Sequence, residues 1–152
     1  MTMTTDLAAF AATFAALFAA HNVGDHWVQT HHQACAKAAP TAAGRIACLK
    51  HVATLTAAKA AALAALALVT GLTLHPLALL TGLAVDAASH YWADRRVPLA
   101  RLAGAIGKRG FYELGSPRPG RDDAPHLGTG AYALDQSWHI GWLFITALII
   151  TI

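Results

Sequence analysis

The chain is short of charge. Only 12% of its 152 residues are Asp, Glu, Lys or Arg, against roughly 25% in soluble globular domains. The shortage is concentrated: no charged residue stands between Lys59 and Asp86, and none from Gln136 to Ile152. A helix that crosses a bilayer takes about 20 mostly apolar residues, with about 17 as the lower end. Both runs suit that length, and the Ala-rich stretch Leu7–Gly24 resembles them. Apolar residues reach 56% and the mean hydropathy is +0.45. The last run carries Trp142, Leu143, Phe144, Ile145, Leu148, Ile149, Ile150 and Ile152 on every face of a helix. A chain this short has little protein in which to hide such a helix, which favours lipid around it.

Other absences narrow the function classes. Cys35 and Cys48 are too few for a disulfide framework. They are read as small apolar residues in a cytoplasmic loop, where thiols stay reduced. No Lys or Arg precedes the first apolar stretch, so the positive region of a cleavable signal peptide is missing and the first helix is read as a retained span. No helix-turn-helix pattern or zinc-finger spacing is present, and nucleic acid is not an expected partner. No Ser or Cys nucleophile stands out: Ser89 and Ser137 read as helix-packing residues. The Glu-x-x-His pattern of di-iron bundles is missing too.

What remains predicts an all-α protein, one domain over residues 1–152, built as a four-helix transmembrane bundle. The helices are expected over Asp6–Thr30, Arg45–Thr70, Pro76–Arg96 and Asp135–Ile152, with Thr5 and Asp6 capping the first and Gly71 and Pro76 marking the tight connection. The long third loop divides into a possible amphipathic helix, Val97–Leu114, and an irregular Pro/Gly-rich part, Ser116–Gly130. Lys37, Arg45 and Lys50 fall in or beside the first loop. Arg95, Arg96, Arg101, Lys108, Arg109, Arg118 and Arg121 fall in the third, while the N-terminus and second loop have no Lys or Arg. Basic loops stay in the cytoplasm, so both termini are expected outside, in a protein of the cytoplasmic membrane. The net charge of +3 then faces anionic lipid headgroups. Trp27, Trp92, Trp138 and Trp142 lie near the same face and read as an aromatic belt. Lys59 interrupts the second helix and is given no role.

One spacing recurs three times. His21 and Asp25 are four apart, as are His90 and Asp94, and Asp135 and His139 repeat the pair in reverse order. Residues four apart share one face of a helix. With the expected topology, all three pairs and His51 fall near the cytoplasmic ends of the helices. Because the last helix runs the opposite way, its reversed pair also keeps the histidine deeper than the carboxylate. Ionisable groups in a span are expensive and face a bundle interior or a cavity. Imidazole and carboxylate together suit Zn²⁺, with Mn²⁺ or Fe²⁺ also possible, and seven ligands allow one or two ions. The expected ligands are His21, Asp25, His51, His90, Asp94, Asp135 and His139, with Gln29 and Asp86 behind them. His26, His31, His32 and His126 are read as solvent-side, and His75 as lying at the opposite end.

The pattern His21-Asn-Val-Gly-Asp25-His-Trp-Val-Gln29-Thr30, then His51, His90-Tyr-Trp-Ala-Asp94 and Asp135-Gln136-Ser-Trp-His139, resembles a family of small bacterial integral membrane proteins known as domain-of-unknown-function family 3307. More remotely it is similar to the membrane-bound metal-dependent hydrolases, which also place His and Asp at helix ends. The resemblance implies a site more than a reaction.

These readings lead to an expected function: a membrane-embedded metal-dependent hydrolase acting on a phosphoester, such as a lipid phosphate, at the cytoplasmic leaflet. Asp25 or Asp94 would be the general base, and Arg95, Arg96 and Arg121 would hold an anionic headgroup. The alternative is a non-enzymatic metal-binding membrane protein: a sensor, carrier or assembly factor. Small Ala and Gly surfaces allow homo-oligomers.

Overall fold

A computed structural model describes residues 6–117, 120 and 128–152, which form α-helices and no strand. Four helices are long: α1 (Leu7–Val23), α3 (Ala42–Thr70), α4 (Pro76–Asp94) and α7 (Gly130–Thr151). Three are short: α2 (His31–Ala36), α5 (Val97–Ala105) and α6 (Arg109–Tyr112). α1 packs on α3 and α7, and α4 packs on α7 and α3, so each long helix has two principal neighbours.

Local chemistry sets the boundaries. The Asp6 carboxylate accepts from the amides of Ala8 and Ala9 to start α1, and Thr41 and Thr129 cap α3 and α7 through the amides of Gly44 and Tyr132. Thr129 is why α7 begins five residues before the expected Asp135. Gly71 closes α3 at φ +73°, a conformation in which only glycine is unstrained. The first helix does not run evenly to Thr30. It widens into a π-turn over Gly24–Val28 and stops at Gln29. Thr30 then opens α2 through a reciprocal capping box with Gln33. Cys35 consequently lies on α2 and Cys48 inside α3, not in a loop. The expected amphipathic helix is two helices, broken at Gly107, where φ is +75°. Arg118, Arg121, His126 and Thr5 lie outside the described residues.

Among the described residues, three helical stretches are long and apolar enough to cross a membrane: Leu7–Val28, Ala42–Thr70 and Gly130–Thr151. The expected fourth span, α4, is not among them. Its sequence carries Asp86, Ser89, His90 and Asp94, all buried within the protein. Elsewhere large apolar side chains face outward, including Leu68, Val69, Leu77, Leu80 and Phe144.

The interior is layered. His21, His51, His90 and His139 occupy one level, and Leu17, Leu55 and Leu143 lie about one turn further along their helices. Each long helix also supplies a further buried polar residue on that side of the histidines: Asp86 from α4 one turn away, and Thr13 from α1, Lys59 from α3 and Thr146 from α7 about two turns away. Lys59 Nζ bonds Asp86 Oδ2 at 2.6 Å. Leu63, Leu83, Ala147 and Ile150 belong to the apolar core that contains Leu17 and Leu143.

Candidate metal centre

Four helices contribute to the histidine level. The close approach of α1 to α3 depends on Gly24: a Cβ there would stand 2.3 Å from the buried Leu55 side chain. That approach brings Asp25 Oδ1 to 3.0 Å from His51 Nε2. Across the interior, Asp94 Oδ2 lies 3.3 Å from His51 Nε2 and 3.2 Å from His90 Nε2. The two Nε2 atoms are 3.0 Å apart, and His90 Nε2 is 3.9 Å from Asp25 Oδ1. Both oxygens thus lie within 3.9 Å of both nitrogens. Zinc with ligands at about 2.0–2.1 Å in a tetrahedron sets neighbouring ligand atoms about 3.3 Å apart, close to these spacings.

Hydrogen bonding accounts for part of this arrangement: His51 Nε2 and His90 Nε2 share one bond. Asp25 Oδ1 and Asp94 Oδ2 are buried and have no hydrogen-bond partner among the described residues, despite the short distances. Both ring nitrogens of His21, and Nε2 of His139, are also without one. Buried polar groups are almost always paired, and contacts that are short but misdirected fit convergence on a shared cation better than pairwise bonding. Asp25, His90 and His139, then His51, His90 and Asp94, then Asp94, Asp135 and His139 each form a group that can hold a metal ion.

The other expected residues surround this centre. His21 Nε2 is 3.8 Å from Asp25 Oδ2, and its ring lies 5.1 Å from that of His139. His139 stacks on His90 at 4.0 Å. Asp135 is 3.5 Å from His139 Nε2 and is the most exposed of the three carboxylates. Gln29 stands at the end of the π-turn, its Nε2 buried without a partner. Asp86 is engaged by Lys59 and belongs to none of the groups that can hold a metal. His26, His31, His32 and His75 are exposed; His26 lies 3.3 Å from the Tyr132 hydroxyl.

Two basic residues placed by the sequence in cytoplasmic loops are structural. Lys37 is buried and bonds Asp94 Oδ1 at 2.7 Å, leaving Oδ2 to the histidines. Arg95 donates to the carbonyls of Lys37 and Ala39, tying α4 to the chain after α2. Neither contact has a periodic signature, since each joins segments far apart in sequence. Ser89 likewise accepts from Trp138 Nε1 at 2.9 Å, and Trp138 stacks on Trp92 at 4.6 Å, joining α4 to α7.

A cavity of about 720 Å³ adjoins the centre, lined by Asp25, Asp94 and Asp135 and by Gln29, Arg96 and Tyr112 among others. Burial raises the Tyr112 phenol above its usual range, against the opposing influence of Arg96, so it remains a neutral donor at the cavity wall.

Comparison with protein-family models, characterised proteins and solved structures finds no match.

Proposed function

We propose that the centre holds a divalent cation, with zinc the best fit to two imidazoles and two carboxylates, and that the protein is a membrane-embedded metal-dependent hydrolase. The observation that carries this reading is that Asp25 Oδ1 and Asp94 Oδ2 each lie within 3.9 Å of both His51 Nε2 and His90 Nε2, with no hydrogen-bond partner for either oxygen among the described residues. Charge agrees: Asp25, Asp94 and Asp135 against Lys37 leave two negative charges with neutral histidines, which one divalent ion balances. When bound, the cation supplies Lewis acidity to a substrate oxygen and acidifies water.

The chain's own groups divide the remaining work. Asp25 and Asp94, first candidates for the base, each direct an oxygen at the centre. A carboxylate used that way is not free to take a proton. Asp135 is 25% exposed and lines the cavity, so it is the better-placed general base. His21 and His139 complete the imidazole wall.

In this reading α4 joins the three apolar stretches as a fourth span. Its polar side faces the other helices, and the basic residues hold the centre at the cytoplasmic leaflet with both termini outside. The phosphoester assay is direct: metal-loaded wild type is expected to hydrolyse a member of a lipid-phosphate panel, and Asp135→Asn to slow it by at least about a hundredfold. Hydrolysis unaffected by that change would refute the base assignment, and no turnover across the panel would count against the hydrolase.

A second reading is a non-enzymatic metal carrier. It is favoured by the deeper polar layer of Thr13, Lys59, Asp86 and Thr146, which extends polar groups beyond the centre. Metal flux into liposomes without hydrolysis would select it.

A further inference from the structure

Arg96 has a costly backbone. Its φ of +57° and ψ of −47° make it the one non-glycine at positive φ among the described residues. Val97 N donates to Arg95 O at 2.6 Å, closing a three-residue γ-turn centred on Arg96. This form of turn is rare and strained, and glycine fits it best. An arginine kept there points to a use for its side chain.

Its surroundings suit such a use. Arg95 is spent on two backbone carbonyls, which fixes the corner after α4. Arg96 lines the cavity with Tyr112 and Gln29. The Gln29 amide nitrogen is a buried donor with no partner among the described residues. Arg96, Gln29 and Tyr112 therefore border one space with Asp25, Asp94 and Asp135. Without a cation those carboxylates repel an anion; a divalent cation would neutralise them and leave the Arg96 charge to attract one.

We infer that this cavity is a phosphate subsite in which Arg96 is the cationic anchor, Gln29 and Tyr112 are neutral donors, and the centre's cation faces the same group. This rests on the metal-dependent reading and gives the expected phosphate-bearing substrate a binding place and an anchor. Arg96 matches the oxygens of a phosphate with paired N–H donors. A cavity of about 720 Å³ exceeds what a phosphate fills, leaving room for the group it is attached to. Exposed Val28 and Val97 adjoin Gln29 and Arg96 in sequence and suit an attached acyl or other apolar group.

The test uses the full chain in detergent micelles, with metal content measured on every sample. Binding is followed by titration with inorganic phosphate and, separately, with micelles doped with short-chain phosphatidate or phosphatidylcholine. Arg96→Gly removes the side chain while relieving the turn, so the variant is expected to fold; Gln29→Leu removes the amide. Metal-loaded wild type is expected to bind phosphate, and Arg96→Gly to weaken it at least tenfold with metal content unchanged. Gln29→Leu should weaken it less. Tighter binding of phosphatidate than of inorganic phosphate assigns a lipid source, and equal binding a soluble one; either supports the subsite. Metal-loaded wild type that binds neither, or binds them equally well after Arg96→Gly, overturns the subsite and leaves the metal centre standing. A wild type that takes up no metal overturns both.

Discussion

Lys59 Nζ and Asp86 Oδ2 are 2.6 Å apart, deep between α3 and α4, with Lys59 fully buried and Asp86 nearly so. Each is the other's only charged partner among the described ion pairs. Removing one partner strands a buried charge, at a cost of about 3–5 kcal/mol, whereas replacing both with apolar groups is often neutral or better. Lys59→Met should therefore lower thermal stability strongly, and Lys59→Met with Asp86→Leu should recover most of the loss. Unfolding of the single and double variants in matched detergent is the check; a double variant no better than Lys59→Met would refute a mutually compensating pair.

The strained turn gives a prediction of opposite sign. Relief of about 1–3 kcal/mol of backbone strain, less about 0.5–1 kcal/mol for the freer unfolded chain, leaves Arg96→Gly about 1 kcal/mol more stable than wild type. Arg96→Ala gains no such relief. Equal melting temperatures for the two variants would argue against the strain.

Gly24 has a role in geometry. In Gly24→Val the added side chain meets Leu55, which is 1% exposed and has little room to yield. The expected result is a wider gap between Asp25 and His51 and a fall in metal affinity of about 10–100-fold, the range seen when groups that orient ligands are lost. Circular dichroism should show the helix content retained. Unchanged affinity in the folded variant would mean that the α1–α3 approach does not set the site.

Metal should also stabilise the folded chain. A ligand at one hundred times its dissociation constant adds about 2.7 kcal/mol, so added zinc should raise the melting temperature of wild type and leave His51→Ala near its metal-free value. A rise of equal size in both would place the binding elsewhere.

Much of this arrangement was legible in the residues. The i,i+4 His/Asp pairs needed only helical periodicity and alternating helix direction to predict one shared level. The Thr30-x-x-Gln33 capping box was also available as a signal for α2. So was the Lys59–Asp86 pair, because these are the only charged residues between Lys50 and Asp94 and buried charges need a partner. The π-turn was not legible: no local rule marks where a helix gains a residue per turn, and here Gly24 packs directly on Leu55. Lys37 and Arg95 read as topology signals by charge alone, since their partners are set by tertiary packing.

The metal content of the purified protein tests the centre most directly. After equilibration with zinc, manganese or iron(II) and removal of excess, wild type should retain roughly one divalent ion per chain, while His51→Ala and His90→Ala should retain little. Metal-free wild type, or variants that hold as much metal as wild type, would contradict it.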